Sequence, residues 1–260
     1  MTESLGQIIK NAKDEGKNVL VMALSAGIIK PEHEYSGEAD RRALIEIIWN
    51  EDKFNPSKEE WKDGYQDEFM GKYKGDWQAM YVAIAKDFGV EISRGKALTV
   101  YMEKFIEVME EEDESVVPGV EDSLKLLDDK GILFSLLSGQ ETPVINGLYL
   151  NDGDQLERYI DSALVQGGVI PSTPENIRDR AYGIITFLTT QDYDVDLLVL
   201  LDGNTERLAN AGTDEWKQDL GIDVVKVGVK DDWVGEGLAD VTDYQFGSMQ
   251  EVYENLQVIE

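Results

Sequence analysis

The chain contains no cysteine and a single histidine, His33. The first absence excludes disulfides, thiolate-bound zinc and a cysteine nucleophile. The second excludes imidazole-based triads and multi-histidine metal sites, and the expectation for His33 is a solvent-exposed position on a flap. No continuous apolar run reaches the length of about 18 residues that a membrane helix requires. Met1-Thr-Glu-Ser-Leu-Gly-Gln lacks both a basic n-region and an apolar h-region, so no signal peptide is expected and the default location is cytoplasmic. No Gly-x-Gly-x-x-Gly follows a strand and no Walker-type loop is present; Gly235-Glu-Gly237 reads as a plain loop.

Basic residues are also scarce. Lys plus Arg number 24 against 53 Asp plus Glu, a formal charge of −29. Such a chain repels phosphate backbones and anionic lipid, which argues against nucleic-acid and membrane-surface roles. Two readings of the acidity stand. One is a solvated acidic surface; the other is adaptation to molar salt, where the screening length shrinks to roughly 3 Å and self-repulsion disappears. The run from Glu110 to Ser115 lacks the glycine turn and alternating oxygen ligands of a calcium loop, so it reads as a solvated helix end or hinge.

What is present is the core of an α/β protein. A length of 260 residues, 42% hydrophobic, with five Trp, suits one large domain or a core with a smaller companion. Lys17 to Ile29 reads as a continuously apolar strand, Asn18–Leu24, running into a small-residue turn, as a central parallel strand would. An amphipathic helix precedes it, with Leu5, Ile8, Ile9 and Ala12 on one stripe. From Lys30 to Glu114 the pattern turns helical, with helices expected over Glu38–Trp49, Asp76–Phe88 and Ala97–Met109. Between them Ser57 and Glu60 have capping-box spacing. The aromatics Trp49, Trp61, Tyr65, Phe69, Tyr73, Trp77 and Tyr81 read as the core of this insert; any that line a cleft would stack a flat ligand. Regular alternation then resumes. Strands are expected at 132–137, 162–165, 196–201 and 224–229, with an edge strand at Asp240–Thr242. Helices are expected at 142–150, 174–190, 205–220 and 248–256, with a helical turn at 155–160.

In an open parallel sheet, ligands bind beyond the carboxyl ends of the strands. Three ends draw attention: Ala23–Gly27, Ser138-Gly139 and Asp202-Gly203-Asn204. A serine with glycine offers a hydroxyl and backbone N–H groups to an anion, although Ser138 equally suits a helix N-cap. A strand-end aspartate can hold Mg2+ or simply cap the next helix.

In this order of elements the chain resembles the haloacid dehalogenase (HAD) superfamily. Val117–Gln140 is similar to that family's second motif. Leu198–Gly212 is similar to its fourth, with Asp202 retained, Leu201 in place of a glycine and Glu206 in place of a second aspartate. Phe246–Leu256 resembles the terminal helix. The resemblance implies a Rossmann-like parallel-sheet core over 1–29 and 115–260, an inserted all-helical cap over 30–114, and phosphatase ancestry.

The same resemblance places Ala23 where the family has its nucleophilic aspartate and Ser25 where it has its acid/base aspartate. Alanine has no nucleophilic atom, and serine does not titrate near neutrality. The third-motif lysine is also missing, since no lysine occurs between Lys130 and Lys217; Pro171–Glu175 falls in that region, with Arg178 or Arg180 as alternative positive charges. The leading expectation is therefore a HAD-like protein without aspartyl-phosphate catalysis. It would bind a small molecule or a protein partner in a core–cap cleft, with Ser25, Ser138 and Gly139 as anion-binding positions. The alternatives are an active hydrolase or phosphatase with a rearranged site, using Asp202 and Glu206 with Mg2+ and a water nucleophile, and a purely structural role with the cap helices as an interface.

Overall fold

The computed structural model describes residues 3–29, 33–48, 54–61, 77–111, 116–139, 142, 145, 156–167, 174–212, 214–230 and 237–259. In chain order the regular elements are α1 (Leu5–Asp14), β1 (Val19–Ala23), α2 (His33–Ile48), the single turn α3 (Lys58–Glu60), α4 (Trp77–Asp87), α5 (Arg94–Glu111), α6 (Val120–Asp129), β2 (Leu133–Leu137), β3 (Val165–Gln166), α7 (Pro174–Thr190), β4 (Leu197–Asp202), α8 (Thr205–Asn210), α9 (Asp214–Leu220), β5 (Asp223–Val229), β6 (Tyr244–Phe246) and α10 (Met249–Leu256). The chain divides into two compact units, Met1–Lys30 with Ser115–Glu260, and Pro31–Glu114.

The larger unit is built on one six-stranded parallel sheet in the order β3-β2-β1-β4-β5-β6. All five residues of β1 are buried, because the strand has a neighbour on each edge and helices on each face. Side chains alternate between the faces. Leu20 and Met22 join Leu198 and Leu200 in a cluster with Ile177, Ala181 and Ile184 of α7, Leu208 of α8 and Trp216 of α9. Val21, Phe134, Val199 and Leu201 instead line a small apolar pocket with Leu5 and Ile9 of α1, Leu124 and Leu127 of α6, and Val252 and Leu256 of α10.

Local chemistry sets the ends of these elements. Ser4 Oγ accepts the Gln7 amide at 3.2 Å and caps α1; Ser248 Oγ accepts the Glu251 amide at 3.3 Å and caps α10. Gly119, before α6, has φ +87°, and a Cβ there would lie 2.5 Å from Gln250 Cα. Only glycine suits both that backbone and that approach.

Three expected elements differ from those observed. Ser162–Leu164 is a 3-10 turn, because Asp161 Oδ1 accepts the Ala163 amide at 2.8 Å, and the strand β3 starts at Val165. The edge strand is Tyr244–Phe246, not Asp240–Thr242. A 3-10 turn at Leu238–Asp240 follows Gly237, and Thr242 Oγ1 donates to the Leu238 carbonyl at 2.8 Å. The helix expected over 205–220 is two helices, parted where Gly212 takes φ +58°; Lys226 Nζ donates to the Leu208 carbonyl of the first at 2.8 Å. Most of the helix expected over 142–150, and Pro171–Thr173, lie outside the described residues.

In the smaller unit every regular element among the described residues is helical. Ala43, Leu44, Met80, Tyr81, Ile84, Tyr101 and Phe105 form its buried interior. Ser57 and Glu60 form the capping box: Ser57 N–H donates to Glu60 Oε2 at 2.9 Å, and Glu60 N–H donates to Ser57 Oγ at 3.2 Å. Glu38 is buried and pairs with Arg41 and Arg42, each at 2.7 Å, and Arg42 also reaches Glu111 at 2.6 Å. The chemistry expected of His33, the aromatics Trp49, Tyr65, Phe69, Tyr73 and Trp77, and the acidic stretch 112–115 concern side chains outside those described.

Candidate functional site

The strand order puts β1 between β2 and β4, so the chain switches direction across the sheet beside β1, where open α/β sheets bind ligands. Ala23 ends β1 in register with Leu136 on one side and Leu201 on the other. It is fully buried. Leu24 continues the ladder, its amide donating to the Leu201 carbonyl at 2.9 Å. Ser25 follows at 7% exposure, and its Oγ accepts the Gly27 amide at 3.1 Å. That bond folds the small-residue turn onto itself.

Beside it, Ser138 follows β2 and is fully buried, its amide donating to the Gln166 carbonyl at 3.0 Å. Gly139 comes next, half-buried. At the end of β3 the Gly167 amide donates to Thr142 Oγ1 at 2.9 Å. Arg180 Nη1 reaches Gln166 Oε1 at 3.4 Å, whereas Arg178 lies beside Asp179 at 3.5 Å. Ser25, Ser138, Gly139 and Asp202 thus stand at the carboxyl ends of three adjacent strands. Glu206 occupies the first turn of α8, exposed.

Asp202 is the one carboxylate buried at this edge among the described residues, with 1% exposure at the end of β4. Its two oxygens are engaged by Arg207. Nε donates to Oδ2 at 2.5 Å and Nη2 donates to Oδ1 at 2.9 Å, the fork geometry of a bidentate guanidinium–carboxylate pair. The Asn204 amide adds a third bond, to Oδ1 at 3.0 Å. Asn204, not Asp202, caps α8, its Oδ1 accepting the Arg207 amide at 2.9 Å. Arg207 is thus positioned twice, through its backbone by the cap and through its side chain by the aspartate. Sequence reasoning passed over it, although the spacing carries the signal: a strand-end aspartate, a capping asparagine two residues on, and an arginine on the first turn of the helix.

The resemblance implies Mg2+ here, and the donor set does not fit it. Magnesium favours an octahedral shell of hard oxygens with one or more carboxylates. Ala23 offers no donor, Ser25 is neutral and already bonded, and Asp202 holds a cationic group on both oxygens. No group of three acidic or histidine side chains suited to a metal occurs among the described residues.

A second titratable pair lies in the helical unit. Asp40 on α2 accepts a short hydrogen bond from the Tyr81 hydroxyl on α4, and both are buried. Burial pushes the Asp40 carboxyl up to about 7, with the Tyr81 hydrogen bond pulling the other way. Burial, and then the neighbouring Asp40, raise Tyr81 well above its ordinary value.

The sheet order, the helices on both faces and the site at the switch point define a doubly wound α/β protein, and its fold is that of HAD-like phosphatases. The chain superposes on a candidate beta-phosphoglucomutase from Thermotoga maritima with TM-score 0.59 at 14% identity, covering 92% of this chain and 98% of that one. CbbY from Rhodobacter sphaeroides, in complex with phosphate, gives 0.57 at 13%, covering 93% and 99%. A HAD hydrolase of family IA, variant 3, from Entamoeba histolytica gives 0.52 at 13%, covering 93% and 99%. No protein-family model matches the sequence, and no curated protein does. At these identities the likeness carries the fold alone. No helix among the described residues is long and apolar enough to cross a membrane.

Proposed function

We propose that this is a phosphatase-like HAD-fold protein that does not perform aspartyl-phosphate chemistry and acts by binding a small molecule or a protein partner at the carboxyl edge of its sheet. The observation that carries the reading is Ala23. It is fully buried at the end of the central strand, between Leu136 and Leu201, at the position where the resemblance calls for the nucleophile. A methyl group there cannot form an acyl-phosphate. The acid/base position is Ser25, whose hydroxyl accepts the Gly27 amide and does not titrate near neutrality. What the edge retains is suited to holding a ligand: the Ser25 and Ser138 hydroxyls and the backbone of Gly139. The acidity belongs to the same reading, as the surface of a protein working at high salt.

The test is a hydrolysis screen on aryl phosphates and sugar phosphates, with and without Mg2+. No turnover above the uncatalysed rate is expected. Robust turnover that disappears in Asp202→Ala would sink the proposal and establish an active enzyme with a rearranged site.

A further inference from the structure

We propose that the Arg207 guanidinium takes the place of the divalent cation at Asp202, making the carboxyl edge of the sheet a metal-independent site with a built-in counter-charge. The inference rests on the HAD resemblance for where a cation belongs, and on this chain's own side chains for what stands there. Asp202 is only 1% exposed, and a carboxylate at that depth needs a partner to remain ionised. Arg207 supplies it from five residues along, with two donors on two oxygens at 2.5 and 2.9 Å. A cation ligated by Oδ1 or Oδ2 would sit about 2.1 Å from that oxygen, and so within a few ångströms of a guanidinium charge that does not deprotonate in proteins. Repulsion between two cations in a poorly solvated site is strong, and the arginine is covalently tethered and always present.

The arrangement also accounts for what the rest of the edge has become. Where a metal must be held, several carboxylates converge on it. Where a guanidinium already balances one carboxylate, further carboxylates would be buried without compensation. Ala23 and Ser25 are neutral, as that balance requires. Reinstating aspartates at those two positions is therefore insufficient to rebuild a metal site while Arg207 remains.

Metal binding is read directly, by titration calorimetry and by thermal melting in Mg2+ or Mn2+ against KCl of equal ionic strength. The native protein and Ala23→Asp/Ser25→Asp are expected to give no saturable binding and no metal-specific rise in Tm. Adding Arg207→Gln to the double variant is expected to bring saturable binding and a metal-specific rise in Tm, both of which Asp202→Asn removes again. Saturable binding by the native protein that Asp202→Asn abolishes overturns the inference. So does a folded triple variant that binds no better than the double. If Ala23→Asp prevents folding, Ser25→Asp with and without Arg207→Gln carries the same contrast: saturable binding that appears only once the guanidinium is gone and is lost on adding Asp202→Asn supports the inference, and its absence in the folded variant overturns it. Phosphatase turnover without metal would defeat the proposed function while leaving this inference standing; metal binding without turnover would do the reverse.

Discussion

Asp202 and Asp40 are both buried carboxylates, and they are held by different partners. Asp202 faces a guanidinium on both oxygens and the Asn204 amide on one of them. Asp40 faces a phenol, which donates one hydrogen bond but no charge. Asp40 is therefore held toward its neutral form, with its carboxyl raised to about 7 from 3.8. The sign of the stability effect follows. Between those values the folded chain keeps a proton at Asp40 that the unfolded chain releases, so the contribution of Asp40 to stability is greatest at low pH, falls as pH rises toward 7 and levels off above it. Asp40→Asn keeps an acceptor for the Tyr81 hydroxyl and has no charge to bury. It is expected to remove this fall and to stabilise the protein at pH 8 by on the order of 2–4 kcal/mol. Urea midpoints of the two proteins across pH 4–8 check it; parallel curves would show that Asp40 does not titrate in this range.

The helices and strands are explained by short-range chemistry where they are long and periodic, and by neighbours where they are short. The continuous apolar runs of β1 and β4 made them legible as central strands. The capping box at Ser57–Glu60 was legible for the same reason, since the signal is local. The two-residue β3 and three-residue β6 were not. Their positions depend on where Asp161 and Gly237 close a 3-10 turn just upstream, and a competition between a turn and an extended segment of two or three residues is decided by the strand beside it. The break between α8 and α9 was hidden too, because Gly212 in a helical pattern reads as a tolerated residue until Lys226 of β5 takes the last-turn carbonyl. Gly119 offers the test at this scale. With φ +87° and Gln250 Cα only 2.5 Å from where a methyl group would stand, Gly119→Ala is expected to cost about 2 kcal/mol or more by forcing α6 and α10 apart. A fall in Tm measured by circular dichroism checks it, and a Tm equal to the native protein's would show that the two helices yield without cost.

For the molecule as a whole, the dominant physical fact is a charge of −29 over 260 residues. Each described salt bridge in the larger unit removes one negative charge locally, but far too few cations exist to balance the surface. Folding brings these carboxylates closer together than the unfolded chain does, so screening favours the folded state. Tm is expected to rise between low salt and molar KCl, by more than a protein of the same fold with balanced charge would show. A Tm independent of KCl over that range would mean that the acidic residues are spaced widely enough to cost nothing.

The sequence by itself determined the α/β class, the parallel sheet and the helical insert. Each of these rests on a long periodic pattern, which needs no neighbour to interpret it. Tertiary structure alone decided the role of Asp202. In the sequence it is a strand-end aspartate that could hold a metal, cap a helix or pair with a cation. The fold buries it, gives the cap to Asn204, and turns Arg207 back onto both its oxygens. Burial makes an unpaired carboxylate too costly to keep, and only the three-dimensional path of the chain shows which group satisfies it.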